Sequence, residues 1–520
     1  MYQFSTIVDE SVVITTSLLA AWALYAMSRH TRKLPLPPGP KPDPLIGHLR
    51  VLPTSDEHLI YTRWAKELNS DIISITIFGQ TFIVLNSAEA ANELLDKRST
   101  IYSSRPQLPM ITYPDLVDWS KLTALLPYGD RWRTQRRVTH SVLHKTASEE
   151  FWPSLVKESR LALQRISINP GNFIEDVRRM MGSILLSTVY GYKVTSPHDR
   201  LVKVVETSID HLNSAGIPGN FFVNTMPWLR YFPDWFPGTG WKKIVKAWNE
   251  EKDEMINAPF DWTKQQIASG TADHSIVQSL LTKLENKPNE DCNNSEDEEI
   301  IKWVTGNLFG AGVDTTAASL LVFILAMTLN PHVQAKAQAE VDRVLGQDRL
   351  PEMDDRESLP YVECVLKEVE RWQPVVPLGV PHASTEDDEY RGYFIPKGAT
   401  VIGNLWAFTR NESVYPEPDK FDPDRFLDPR VPKAPAFGFG RRSCPGVHLA
   451  ESALFITIST FLMLFDVRPI KDEEGNEILP EINMKSNALI SYPADFRCSI
   501  TPRSERAVKL LSLSVLGTDE

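Results

Sequence analysis

FGFGRRSCPG, residues 437–446, sets one of the chain's four cysteines among three glycines, two arginines and two phenylalanines. The other cysteines, Cys292, Cys364 and Cys498, are scattered and form no CxxC pair. That spacing predicts neither a zinc knuckle nor a disulfide scaffold, and fits a reducing compartment. A lone cysteine is most often a buried hydrophobe, but ten residues of this kind in this order are hard to explain as packing. A thiolate is a strong, soft ligand for iron. Gly440 and Gly446 suit a tight turn with φ > 0 presenting the sulfur. Pro445 is expected to start the following helix, GVHLAESALFITISTFLML, which puts Cys444 at a helix N-terminus, where the dipole favours an anion.

The composition allows a large core, with 520 residues of which 42% are hydrophobic. A net charge of −12 argues against a nucleic-acid partner. SVVITTSLLAAWALYAM, residues 11–27, carries no charge and as a helix would span most of a hydrocarbon core. Asp9 and Glu10 precede it, and Arg29, Arg32 and Lys33 follow. A signal peptide has the opposite charge order, so a retained anchor is expected, with the body of the chain in the cytosol. LPLPPGPKPDP, residues 34–44, reads as a stiff proline-rich strap. The expected division is therefore an anchor with its basic flank over 1–33, a linker over 34–44 and one catalytic domain over 45–520.

Within that domain, residues 70–87 predict a two-stranded hairpin turning at Gly79-Gln80, and 389–404 a second β stretch. Helices are expected over 90–98, 151–167 and 300–330. The acidic run 285–299 reads as a solvated loop. Residues 220–241, crowded with aromatics and prolines, are either core packing or an apolar flap against a bilayer or substrate channel. The fold class is mainly α with small β-sheets.

Phe437, Gly440, Arg442, Cys444 and Gly446 match FxxGxRxCxG, the haem-ligand signature of the cytochrome P-450 family, in full. AGVDTT (311–316) resembles that family's oxygen-activation motif, EVER (368–371) its ExxR motif, FDPDRF (421–426) the segment that completes the ExxR cluster, and WRTQR (132–136) its propionate motif. The resemblance covers everything after the anchor. Within the family the pattern is similar to microsomal-type, fungal secondary-metabolism monooxygenases such as O-methylsterigmatocystin oxidoreductase.

The resemblance implies haem b, iron protoporphyrin IX, with Cys444 as axial thiolate and metal ligand. Trp132, Arg136, His382 and Arg442 would bind its propionates, and Phe437 would shield the sulfur. Asp314 and Thr315 are the implied catalytic pair, one relaying protons and the other holding bound oxygen, with Gly312 letting the helix open beside them. Glu368, Arg371 and Arg425 form the implied structural cluster. Leu308, Val313, Val376 and Leu378 are candidate substrate contacts, with Asn307 beside them. Two departures stand out: PDRF in place of the commoner PERF, and Thr409 and Asn411 where the family often has His and Asp.

The implied activity is insertion of one oxygen atom from O2 into a lipophilic molecule at an endoplasmic reticulum membrane. The candidate contacts are mostly apolar, and a terpenoid, an aromatic polyketide or an indole would fit them. No flavin or NADPH fingerprint is present, so the implied electron donor is a separate NADPH–cytochrome reductase carrying FAD and FMN, with Arg441 a candidate contact. The rival readings are a reductase-independent isomerase or dehydratase and a non-catalytic haem sensor or electron carrier. Retention of Asp314-Thr315 speaks against both.

Overall fold

The computed structural model describes Ser17 and residues 34–516, apart from 197, 218, 287–293, 347 and 488. Apart from Ser17, the apolar run 11–27 expected to anchor the chain lies outside the described residues, as does Cys292. The elements that matter below are β1 (Ile72–Ile77), β2 (Gln80–Leu85), α1 (Asp130–Leu143), α2 (Phe173–Leu185), α3 (Arg200–Gly216), α4 (Asn294–Leu329), α5 (Pro360–Trp372), β3 (His382–Ala383), β4 (Thr400–Gly403) and α6 (Val447–Leu464).

Helices dominate, as the sequence predicts, and the sheets are small. The largest has four strands in the order β1-β2-β4-β3. β1 and β2 are antiparallel, with Ile72 opposite Leu85 and Ile77 opposite Gln80. Their turn is Phe78-Gly79, one residue earlier than expected, and both residues have positive φ, the geometry that matches strand twist in a two-residue hairpin. β4 then pairs parallel to β2, and β3 antiparallel to β4. The expected β stretch 389–404 is therefore a short hairpin, Asp388–Tyr390 with Tyr393–Ile395, followed by β4.

The strap is docked on this sheet. The carbonyl of Pro37 accepts from Ser74 Oγ at 2.5 Å, that of Pro38 from the Ser74 amide at 2.9 Å, and that of Pro35 from the Phe394 amide at 2.8 Å. Prolines cannot donate, but their carbonyls remain good acceptors, which is how a donor-poor segment is tied down.

The long central helix α4 begins at Asn294, inside the acidic run expected to be loop. Glu296 and Asp297 fall in its first turn, where negative charge complements the helix dipole, so the acidic residues extend the helix. Both α4 and α6 are long and apolar enough to cross a membrane, but most of each is buried inside the protein, and they act as core helices. Gly312 lies within the unbroken helix α4. A Cβ there would sit 2.8 Å from Leu185 Cδ1 on α2, so this glycine serves close helix packing.

Glu368 and Arg371, three residues apart on α5, are completely buried. The guanidinium meets the carboxylate through two bonds of 2.7 and 2.8 Å. Its remaining N–H groups donate to the carbonyls of Pro418 at 2.7 Å, Thr409 at 3.1 Å and Lys420 at 3.1 Å. Glu368 also accepts from the Asp422 amide at 2.7 Å and from Arg425 Nε at 3.3 Å. Removing one member strands a buried charge, at a cost of about 3–5 kcal/mol. Glu368→Ala is therefore expected to lower the unfolding free energy measured by chemical denaturation by that margin, whereas Asp424→Glu, outside the cluster, should leave it within about 0.5 kcal/mol.

Candidate functional site

The loop before α6 is closed by the Cys444 amide donating to the Phe437 carbonyl at 2.8 Å. Its left-handed residues are Gly438 (φ 75°) and Gly440 (φ 53°). Gly446, expected to share that role, has φ −86° and is the N-cap of α6. Pro445 accordingly lies just outside the helix rather than at its first position. What Gly446 supplies is an amide that hydrogen-bonds the Cys444 sulfur. Gly440 admits no side chain, because a Cβ would collide with the Leu95 carbonyl.

Cys444 combines two properties that rarely coincide. Burial pushes its thiol above the ordinary value of 9.0, opposed by the Gly446 amide and by Arg136, yet its side chain is exposed. A group can be deep and accessible at once only where it lines an opening inside the protein. Phe437 is half-buried in the same loop, with Lys433 5.3 Å from its ring centre.

Basic groups extend from the sulfur. Arg136 and Trp132 both lie on α1, as their spacing predicts. Arg442 sits 4.4 Å from the Trp132 ring centre and donates to the carbonyls of Ser103 (2.7 Å), Leu126 (2.6 Å) and Thr123 (3.3 Å). Burial, with repulsion from Arg105 and Arg136, pushes Arg442 down to about 8. Arg105, buried, donates to the carbonyls of Ala124, Val380 and Pro381, and burial takes it down to about 9. His382 on β3 bonds the Tyr102 carbonyl through Nδ1 at 2.7 Å, and burial holds its pKa well below 6.5. Among the described residues no carboxylate pairs with any of these groups. Arg105 and Arg442, confined cations satisfied only by neutral carbonyls, favour an anion.

α4 presents different faces to different surroundings. Ala311 is exposed in the middle of this core helix, and Thr315, one turn on, donates its hydroxyl to the Ala311 carbonyl at 3.0 Å. Asp314 is about 100° round the helix from Thr315. It borders a separate cavity of about 120 Å³ with Arg178 of α2 and Glu206 and Asp210 of α3. Burial, followed by the charges of Asp210 and Glu206, raises Asp314 to about 6, with Arg178 opposing. Asp314 and Thr315 are therefore neighbours in sequence that face different spaces.

A family model described as cytochrome P-450 matches residues 37–492. The chain is 40% identical to cytochrome P-450 monooxygenase claR of Ampulloclitocybe clavipes, over 96% of this chain and 93% of the relative. It is 39% identical to cytochrome P-450 monooxygenase COX2 of Coprinopsis cinerea, over 94% of each chain. Cytochrome P-450 monooxygenase 208 of Postia placenta is 38% identical over 95% of this chain and 96% of its own. The chain belongs to the cytochrome P-450 family.

Membership of the P-450 family implies a haem cofactor and a monooxygenase's oxidoreductase chemistry. The structure gathers Trp132, Arg136 and Arg442 near Cys444, and His382 beside Arg442. It separates the expected substrate contacts. Val313 lies about 200° round the helix from Ala311 and is packed in the core rather than on the opening. Leu308 is buried, Val376 half-buried, and Leu378 packs against the small sheet's cluster. Arg105 falls in the stretch 104–119, whose sequence offers candidate pocket lining, and was not among the expected propionate contacts. The signal was available, since a charged residue stands alone in the otherwise neutral IYSSRPQLPM.

Before the cofactor is loaded, Cys444 is accessible but protonated. Its alkylation by iodoacetamide should be slow at neutral pH and accelerate as pH rises beyond 9, while buried Cys364 stays unmodified. Peptide mass spectrometry across a pH series checks this. Gly440→Ala should cost roughly 1–3 kcal/mol through backbone strain alone.

Proposed function

We propose that this chain is a haem-thiolate monooxygenase that hydroxylates a lipophilic fungal secondary metabolite. The observation that carries the reading is the accessible Cys444 thiol at the N-terminus of α6, with a run of basic side chains unpaired by carboxylates leading away from it. These residues fit haem b. Cys444 would be its axial ligand, with the Gly446 amide stabilising the thiolate. Arg105, Arg136, Arg442 and His382 would meet the two propionates, with the Trp132 ring supporting Arg442. Bound haem would supply the iron at which O2 is reduced, one oxygen atom passing to substrate and the other to water.

The remaining work falls to α4. Asp314, held near 6, keeps a fraction of its protons at neutral pH, as a donor requires. The Thr315 hydroxyl rests on the Ala311 carbonyl and is free to exchange that bond for one to a ligand. Retention of this pair favours oxygen activation over a reductase-independent rearrangement, a sensor or an electron carrier.

The electrons would come from an NADPH–cytochrome reductase with FAD and FMN, docking where Arg441, Arg133 and Arg137 are exposed. Attachment to the endoplasmic reticulum through residues 1–33, with 45–520 cytosolic, is supported by the flap expected over 220–241. Its Trp235 and Tyr231 are 80% and 73% exposed, which removes the core-packing reading for them and suits a bilayer surface. A terpenoid is the first substrate class to screen, followed by aromatic polyketides and indoles.

The test is the absorption spectrum of reduced protein under carbon monoxide. A strongly red-shifted Soret band, lost in Cys444→Ala, is expected; a histidine-type band in the unmodified protein would overturn the ligand assignment. With reductase and NADPH, turnover should fall as pH rises through about 6, because Asp314 then gives up its proton, and Asp314→Asn should abolish that limb.

A further inference from the structure

Asn307 is a buried polar residue on α4 that the mechanism does not use. It lies one turn before Ala311 and about 40° round the helix from it, so these two share a helical face, with Thr315 about 40° further round. Its Oδ1 accepts the Ala124 amide at 3.0 Å. An N–H can only donate, so this bond fixes which way the Asn307 amide is turned and assigns Nδ2 to the other side. Nδ2 has no hydrogen-bond partner among the described residues.

The segment that holds Asn307 in place is itself rigid. The Ala124 carbonyl accepts from Arg105 at 3.0 Å, those of Thr123 and Leu126 accept from Arg442, and the Thr123 hydroxyl donates to Gln135 at 2.6 Å. Asn307 is thus a preorganised donor. The Thr315 hydroxyl, two turns on, is already bonded to the Ala311 carbonyl, and the exposed Ala311 side chain is apolar. A bare hydrocarbon against this face would leave Nδ2 unpaired, at the cost of its desolvation.

We infer that Asn307 is a specificity-determining residue, whose Nδ2 donates to a carbonyl or hydroxyl oxygen already present on an otherwise lipophilic substrate. The inference rests on the haem-thiolate reading and narrows its substrate class. With Asn307 and Ala311 four residues apart, the recognised oxygen lies about 6 Å along the helix from the exposed alanine. Such a substrate must come from an earlier oxygenation, hydration or acyl-condensing step, not directly from a hydrocarbon-forming cyclisation.

The test is optical titration of the haem-loaded protein with matched probes: adamantane against 2-adamantanone, and androstane against androstan-17-one. The ketone of at least one pair should bind roughly two- to tenfold more tightly than its hydrocarbon, the worth of one neutral hydrogen bond. Asn307→Asp is the decisive variant. It keeps an oxygen for the Ala124 amide and removes the donor, so the ketone preference should vanish while the hydrocarbon's dissociation constant stays within about twofold. Asn307→Leu, which removes both functions, should weaken both members of a pair.

No ketone preference in either pair, or the same preference in Asn307→Asp, would overturn the inference. The carbon monoxide spectrum of each protein separates this from a failure of the underlying reading. A thiolate-type band with an unchanged ratio sinks only the role of Asn307, whereas a missing band in the unmodified protein sinks both.

Discussion

A guanidinium with no access to water must have its donors satisfied by the protein, and Arg371 is such a group. Glu368 takes two of its N–H groups, and the rest fall to carbonyls between residues 409 and 420. These carbonyls belong to the irregular chain that leads into the Cys444 loop. A segment without helix or strand is thereby fixed by an ion that tolerates no other arrangement. The Asp422 amide and Arg425 bind the same carboxylate, so the path is held at both ends. This also explains why two of the departing residues, Thr409 and Asp424, are tolerated. Thr409 serves Arg371 through its backbone carbonyl, for which side-chain identity is immaterial. Asp424 points away from the cluster and pairs with Lys336 at 2.8 Å.

The site itself is an imbalance of charge. The chain as a whole is acidic, yet Arg105, Arg136 and Arg442 sit together and, among the described residues, pair with no carboxylate. Carbonyls give Arg105 and Arg442 geometry but no neutralisation, and burial lowers the pKa of all three. The dipole at the start of α6 and the Gly446 amide add positive potential at the sulfur. Two acceptances of negative charge are thus prepared, one for a thiolate and one for carboxylates.

Much of this was legible in the sequence because it is written in short, local patterns. Cys444, Arg442, Glu368 with Arg371, and Trp132 with Arg136 each stand within a few residues of the others in their motif. What escaped depends on separations that no local pattern encodes. Arg105 joins the cluster because strand β3 lies alongside it, bridging the Ala383 amide to the Ser104 carbonyl at 2.9 Å across some 280 residues. The acidic stretch 285–299 reads as loop by composition, but where it enters α4 Glu296 and Asp297 stabilise the helix's first turn. Glycine content alone suggests Gly440 and Gly446 for the positive-φ turn, whereas the turn draws on Gly438 and Gly440.

Helical periodicity explains the largest misplacement and organises the chemistry. Each step along α4 turns about 100°, so AGVDTT cannot present all its side chains to one space. Ala311 and Thr315 share the face of the opening, and Val313 is turned into the core. Asp314 meets the cavity bordered by Arg178, Glu206 and Asp210. The carboxyl of Asp314 and the hydroxyl of Thr315 are therefore on different sides of the helix. A proton reaching the Thr315 side from Asp314 has to pass round the helix, by rotation of the carboxyl or through water. On the proposed reading, that separation would keep an ionisable group out of an apolar substrate space, where its desolvation would be costly, while leaving it one residue from where its proton would be needed.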